Sequence, residues 1–235
     1  MTETVTRRHD FDMVHGTQEV FRLLLEALAN PGRVLSLRPQ AAQFAGQGRW
    51  LAPALTLLDP QTGFFWDGDH ETGEEIHFLS GAPQVSLEEA DFVFFSGGAA
   101  ARIENSGAAI QAEAFRVLSR VKEGTWLDPH DSALLFITAG TGSAGLSAGE
   151  QAAALIAEPV FLTGPGIPPE GRRIALPAAE AAWCRARDER GFEYPRGVEL
   201  VFLRDDFSFL ALTRKTAFSW NGPVGGTAGG PPVKE

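Results

Sequence analysis

The chain has 235 residues and a formal net charge of −10, and 44 % of its residues are hydrophobic. This length allows one domain with a full core. The acidic balance argues against binding to nucleic acid or to an anionic membrane surface, because both need clustered Lys and Arg. The single cysteine, Cys184, excludes an intrachain disulfide and a cysteine-based metal site, which fits a reducing cytoplasm. No apolar run approaches the roughly 18 residues of a spanning helix, so the sequence predicts a cytoplasmic protein.

The predicted elements begin after a loose polar arm at residues 1–14. Apolar residues at helical spacing then predict a helix that Thr17 caps at its N-terminus. This helix is predicted to stop at Asn30, because the residue before a proline avoids the α region. Pro31 and Gly32 are predicted to form a structural turn that sends the chain into a strand at residues 34–37.

Strands and helices alternate along the rest of the chain. The predicted strands cover residues 63–66, 92–95, 133–138, 160–162, 198–203 and 207–212, and the predicted helices cover residues 51–58, 70–79, 109–122 and 177–189. The last two strands flank Arg204-Asp205-Asp206 and are predicted to form a hairpin. This alternation is typical of the α/β class and predicts one domain, residues 15–220, with a mixed sheet flanked by helices. A Gly/Pro-rich tail at residues 221–235 is predicted to be disordered.

One alternative function depends on the glycine loop Gly140–Gly145, which matches G-x-G-x-x-G after a predicted strand. Such a loop would make the chain a stand-alone oxidoreductase that binds NAD. Two carboxylates argue against this alternative. Glu150 lies in the first turn of the following segment, where a pyrophosphate would bind, and Glu158 precedes the next strand instead of closing it.

A second alternative is a metal-dependent hydrolase. On a helix, His70, Glu74 and His77 fall on one face and could hold a metal ion. The competing interpretation is a solvated acidic face, because Ile76 and Leu79 must point inward on the opposite side.

No cofactor is expected. Of the three lysines, only Lys215 could form a Schiff base with pyridoxal phosphate, and nothing around it in the sequence supports that role. Cys184 lies among Ala181, Ala182 and Trp183 on a predicted helix and is interpreted as a packing residue.

Two segments at strand ends could form a binding surface. The turn Thr163-Gly164-Pro165-Gly166 stops a short apolar strand, and the glycines can take a positive φ. Residues 212–216 end the last predicted strand with two cations, Arg214 and Lys215, and two hydroxyls. Such a set could hold an anionic phosphonate or phosphate. The alternative is a simple chain turn and a strand end in water.

These features, in this order, resemble the H-subunit family of bacterial carbon–phosphorus lyase (PhnH). The landmarks are short segments spread over residues 15–218: Phe21-Arg22 with Leu24-Leu25; Pro31-Gly32; Gly124-Thr125 with Pro129 and Ser132-Ala133; Leu162 to Ile167; Pro195 to Leu200; and Arg214. The resemblance singles out Arg22, Thr163 to Gly166 and Arg214 as ligand or interface residues. We therefore expect Arg214 and the Thr163–Gly166 turn to share one functional surface, either an anion pocket or a subunit contact.

The resemblance also implies a fold and a function. The fold would be similar to the large domain of transferases that use pyridoxal phosphate, but without the cofactor. The chain would be a non-catalytic accessory subunit that forms a homodimer when isolated and assembles with the G, I and J subunits. It would support formation of α-D-ribose 1-phosphonate 5-triphosphate from ATP and an alkylphosphonate, the step before the J subunit cleaves the carbon–phosphorus bond.

Overall fold

The structure is a computed structural model. It describes residues 9–44, 46–97, 107–138 and 157–220. The predicted glycine loop Gly140–Gly145, the predicted tail at residues 221–235 and residues 1–8 of the predicted arm lie outside the described residues. No helix in these ranges is long and apolar enough to cross a membrane.

A mixed six-stranded sheet forms the centre of the fold. Its spatial order is β1-β8-β7-β4-β3-β2, formed by β1 (Leu35–Ser36), β2 (Phe64–Trp66), β3 (Phe92–Phe95), β4 (Leu134–Ile137), β7 (Glu199–Leu203) and β8 (Ser208–Leu212). The strands β2, β3, β4 and β7 are parallel, whereas β8 and β1 run antiparallel to their neighbours. The predicted hairpin is confirmed, because β7 and β8 pair directly with Leu200 opposite Leu212.

A second, three-stranded antiparallel sheet lies beside the first. It consists of β5 (Ala157–Thr163), β6 (Arg172–Pro177) and β9 (Ala217–Ser219), in the order β6-β5-β9. Only β5 was predicted as a strand, over three residues. The pairing of Thr163 with Ala217 brings the end of β5 next to the segment that follows β8.

Six helices are described: α1 (His15–Ala29), α2 (Arg38–Ala41), α3 (Gly48–Leu57), α4 (His70–Ser80), α5 (Gly107–Leu118) and α6 (Ala178–Arg190). The predicted cap of the first helix is wrong. The helix begins two residues before Thr17, and the Asp12 carboxylate accepts hydrogen bonds from the amides of Val14 and His15 at 2.8 and 2.9 Å. The hydroxyl of Thr17 instead donates to the carbonyl oxygen of Met13 at 2.8 Å.

The two faces of the large sheet pack into two hydrophobic cores. Side chains alternate along the buried strands, so neighbouring residues serve opposite faces. Phe94 stacks on Phe136 at 5.1 Å between ring centroids, on the face covered by α1, α3 and α4. Phe95 meets Trp183 at 5.2 Å on the face covered by α5 and α6. The chain is therefore a mixed α/β domain with a mixed sheet flanked by helices, as predicted.

Candidate functional site

A cavity of about 420 Å³ opens at one end of the large sheet's strands, where β7 begins and β8 ends. The parallel strands have their amino ends on this side of the sheet, and β8, which runs antiparallel to β7, has its carboxyl end there. Open α/β sheets usually bind ligands on the opposite side, at the carboxyl ends of the parallel strands. The cavity is lined by Leu28, Ala29, Pro129, Pro165, Gly166, Tyr194, Pro195, Glu199, Thr213, Arg214 and Lys215.

Arg214 forms a fully hydrogen-bonded part of the cavity wall. Its Nε and Nη2 donate to the two carboxylate oxygens of Glu199 at 2.7 and 2.9 Å. Nη2 also donates to the hydroxyl of Ser132 at 2.7 Å, and Nη1 donates to the carbonyl oxygens of Pro129 and Pro195 at 2.6 and 3.2 Å. A guanidinium carries five N–H donors, and all five have partners here. Arg214 thus ties three chain segments together and keeps no donor for a ligand.

The turn that carries Arg214 is held from the protein interior by Arg187. This buried guanidinium donates to the carbonyl oxygen of Thr213 at 2.8 Å and to that of Thr216. It also lies over the ring of Phe218, with its Cζ 4.4 Å from the ring centroid. Burial lowers the pKa of Arg187, because a buried cation loses its hydration. The four-residue turn at 213–216 is therefore fixed by side chains on both of its sides.

The Gly-Pro-Gly turn packs against this same segment. Gly164 and Gly166 have φ values of +134° and +78°, which an L side chain rarely adopts. A Cβ atom at Gly164 would lie 2.7 Å from the carbonyl oxygen of Lys215, and one at Gly166 would collide with the carbonyl oxygen of Ala29. Both glycines are thus needed for the close approach of three backbone segments.

The Pro31-Gly32 turn closes the other side of this region. Gly32 has a φ of +79° and its amide donates to the carbonyl oxygen of Ala211 in β8 at 3.0 Å. The guanidinium of Arg172 donates to the carbonyl oxygens of Asn30 and Pro31 at 3.0 and 2.6 Å. These contacts fix the end of α1 against both sheets, where Leu28 lines the cavity.

Two cations, Arg214 and Lys215, line the cavity. Arg214 pairs with Glu199, whereas Lys215 forms no ion pair with a carboxylate among the described residues. Its Nζ lies over the ring of Tyr194, 4.1 Å from the centroid. Both side chains are exposed, Tyr194 to 60 %. The sequence pattern indicated Lys215, together with Arg214, as a cation that could hold an anion, but it gave no sign that Tyr194 and Glu199 line the same cavity.

The predicted site residues fall into two groups. Pro165, Gly166 and Arg214 line the cavity together, and Gly164 supports its wall. Thr163 is exposed at the end of β5 without lining the cavity, and Arg22 is exposed on α1, also away from it. The turn and Arg214 thus lie on one surface, and its role as an anion pocket or a subunit contact stays a prediction.

The metal-binding alternative finds no support. The helix is present as α4, but the side chain of His70 is 90 % exposed and lies 3.9 Å from Glu74. His77 is hydrogen-bonded through Nδ1 to the carbonyl oxygen of Ala82 at 2.7 Å. Across residues 9–44, 46–97, 107–138 and 157–220, no three His, Cys, Asp or Glu side chains group to hold a metal ion.

Comparison with known families decides the assignment. The family model described as "Bacterial phosphonate metabolism protein (PhnH)" matches residues 9–219. The chain belongs to the PhnH family. A search of curated proteins finds no match. Membership in the PhnH family places the chain in bacterial phosphonate metabolism.

Several of the short PhnH landmarks, which are far apart in the sequence, meet around the cavity. Gly124 has a φ of +77° and a Cβ there would lie 2.7 Å from the carbonyl oxygen of Pro129, which is itself a partner of Arg214. Gly197 approaches Arg214 so closely that a Cβ there would lie 3.3 Å from the Arg214 Cβ. These landmarks therefore build one region of the PhnH chain, whereas Phe21-Arg22 on α1 lies outside it.

Proposed function

We propose that the chain is an accessory subunit of the carbon–phosphorus lyase system. In this role it supports formation of α-D-ribose 1-phosphonate 5-triphosphate from ATP and an alkylphosphonate. The observation that carries the proposal is the PhnH family match over residues 9–219. We further propose that the fold of the chain corresponds to the large domain of transferases that use pyridoxal phosphate, and that the chain does not bind this cofactor.

The state of the charged groups in the cavity supports an accessory role over independent catalysis. Glu199 and Arg214 are held in a mutual ion pair, so neither is poised as a general acid, base or nucleophile. The thiol of Cys184 is buried, and burial raises its pKa, which makes it a poor nucleophile. The chemistry is then supplied by partner subunits, which we propose to be G, I and J, in the cytoplasm.

The proposal extends to a homodimer of the isolated chain. Phe21 and Leu25 lie one turn apart on α1 and are 46 % and 50 % exposed. Arg22 lies beside them on the exposed surface of the helix. Exposed apolar side chains that form a contiguous patch commonly mark protein–protein contacts. We assign this face of α1 to the dimer contact and the turn Thr163–Gly166 with the cavity to the functional surface.

Growth on methylphosphonate as the sole phosphorus source tests the proposal in a bacterium that carries the chain. Deletion of its gene is expected to abolish growth on methylphosphonate and to leave growth on inorganic phosphate unchanged. A plasmid copy should restore growth, and a tagged copy should purify with the G, I and J subunits. Normal growth of the deletion strain on methylphosphonate would contradict the proposal.

A further inference from the structure

The lining of the cavity carries a net positive charge in an otherwise acidic chain. Its charged residues are Glu199, Arg214 and Lys215, and the first two neutralise each other in a bidentate pair. Lys215 is left as the excess charge of the lining, whereas the whole chain has a formal charge of −10. The local positive charge of the lining favours an anion over a cation in this cavity.

The backbone around Lys215 is held in place by several packing contacts and hydrogen bonds. Its carbonyl oxygen packs against Gly164, and the residues on either side of the turn, Thr213 and Thr216, accept hydrogen bonds from the buried Arg187. Arg214 is anchored through all five of its donors. Functional groups that are held in place by such supporting contacts lose less entropy when they bind a ligand.

The amine of Lys215 faces an apolar wall. It lies 4.1 Å from the ring centroid of Tyr194, which lines the same cavity as Leu28 and Pro165. At about 420 Å³ the cavity falls within the range of roughly 300–1,000 Å³ that is usual for small-molecule sites. A predominantly apolar wall with one or two placed polar groups is the typical composition of such sites.

We propose that this cavity binds a small organic anion. The anionic group binds at Nζ of Lys215, and the apolar body of the ligand packs against Leu28, Pro165 and Tyr194. Arg214 is a structural residue of the wall and does not touch the ligand. Phosphonates and carboxylates share this chemistry, and the choice of a phosphonate rests on the proposed function.

Calorimetric titration of the purified full chain tests the site with three probes. Phenylphosphonate has a charged group and an apolar body, benzoate replaces the phosphonate by a carboxylate, and inorganic phosphate lacks the apolar body. We expect saturable binding of phenylphosphonate that weakens with added salt, because the Lys215 contact is exposed. Inorganic phosphate should bind at least about ten-fold more weakly, equivalent to about 1.4 kcal/mol. Tighter binding of benzoate than of phenylphosphonate would overturn the phosphonate assignment.

Matched charge variants locate the site. Lys215→Met should weaken phenylphosphonate binding at least about ten-fold, because it keeps most of the unbranched side chain and removes the charge. Lys215→Arg should retain binding. Arg116→Met removes one exposed charge from α5, outside the cavity, and should leave binding unchanged. An absence of phenylphosphonate binding, equal losses in Lys215→Met and Arg116→Met, or equal affinity for inorganic phosphate would overturn the proposal.

The result of the titration does not determine the result of the growth test. The titration uses the isolated chain, so a chain that binds none of the probes can still be required for growth on methylphosphonate. Conversely, binding at Lys215 in a chain that is dispensable for growth would contradict the proposed function and leave the anion site in place.

Discussion

Arg214 and Glu199 form a bidentate ion pair, with Nε 2.7 Å from one carboxylate oxygen and Nη2 2.9 Å from the other. The pair joins the first residue of β7 to the segment after β8, and only 18 % and 21 % of the two side chains is exposed. The planar guanidinium matches a carboxylate through two parallel hydrogen bonds, and an ammonium group does not reproduce this geometry. The pair therefore holds the shape of the cavity.

Replacement of Arg214 should destabilise the fold. Arg214→Ala leaves Glu199 without its partner and removes the contacts to Pro129 and Pro195, so we expect a loss of about 1–3 kcal/mol in the free energy of unfolding. Arg214→Lys should recover only part of that loss. Urea denaturation measures both variants, and Arg116→Ala on the exposed surface of α5 is the control, expected within about 0.5 kcal/mol of wild type. An unchanged midpoint for Arg214→Ala would show that the network does not stabilise the fold.

The glycines of the two turns should differ in their tolerance of a methyl group. Gly166→Ala is expected to cost at least about 1 kcal/mol, because it combines a strained positive φ with a collision against the backbone of Ala29. Gly32→Ala should cost less, since the added atom meets the movable side-chain end of Leu162. Gly107→Ala is the control, because nothing lies within 4 Å of the added Cβ and the residue begins α5. Equal thermal midpoints for all three variants would contradict this ranking.

The thiol of Cys184 should be inert in the native protein. It is fully buried on α6, and burial raises its pKa by disfavouring the thiolate. A disulfide reagent such as dithionitrobenzoate is expected to leave the folded chain unmodified and to titrate one thiol after denaturation. Rapid reaction under native conditions would place Cys184 at the surface instead.

The ion pair between Arg185 and Glu158 predicts a small pH-dependent stability. The hydrogen bond from Arg185 lowers the pKa of Glu158 below its ordinary value of 4.5. Because the folded-state pKa is the lower one, the stabilisation is present above pH 4.5 and is lost as the pH falls through the folded value. About a third of each side chain is exposed, so the gain should stay below about 1 kcal/mol.

The variant Glu158→Gln checks this effect. It should be slightly less stable than wild type at neutral pH, and the difference should vanish in acid. Arg185→Met should remove the same pH-dependent difference. A gap between wild type and Glu158→Gln that widens as the pH falls would reverse the sign and refute the assignment.

The central sheet could be predicted because its strands are buried on both faces and appear as short apolar runs. The strand β3 has the predicted bounds, residues 92–95. The strand β6 is missed by the sequence pattern because it is an edge strand that begins with Arg172 and Arg173, so no apolar run marks its start. The strand β9 is only three residues long and pairs with β5, which lies more than fifty residues earlier. Such pairing leaves no local pattern in the sequence.

The sequence could suggest that Arg214 and the Thr163–Gly166 turn lie near each other, but it could not show the hydrogen bonds that Arg214 makes. The sequence suggested that Arg214 could bind an anion, because the sequence alone does not reveal which carboxylate pairs with an arginine at a strand end. Its partner Glu199 lies fifteen residues away. The hairpin register brings the two together, because Leu200 pairs with Leu212. The predicted hairpin in this register would place Glu199 near Arg214 and so indicate that the two charges neutralise each other. Lys215 would then be the cation that remains for a ligand.

Reconstitution of the reaction between ATP and methylphosphonate tests whether the chain is an accessory subunit. ATP and methylphosphonate are incubated with purified G and I subunits, with or without this chain, and with the chain alone, and the release of adenine and the formation of the ribose 1-phosphonate product are measured. We expect product when the chain is combined with its partners, and none from the chain alone. Product formed by the chain alone, or formed equally well in its absence, would contradict its role as an accessory subunit.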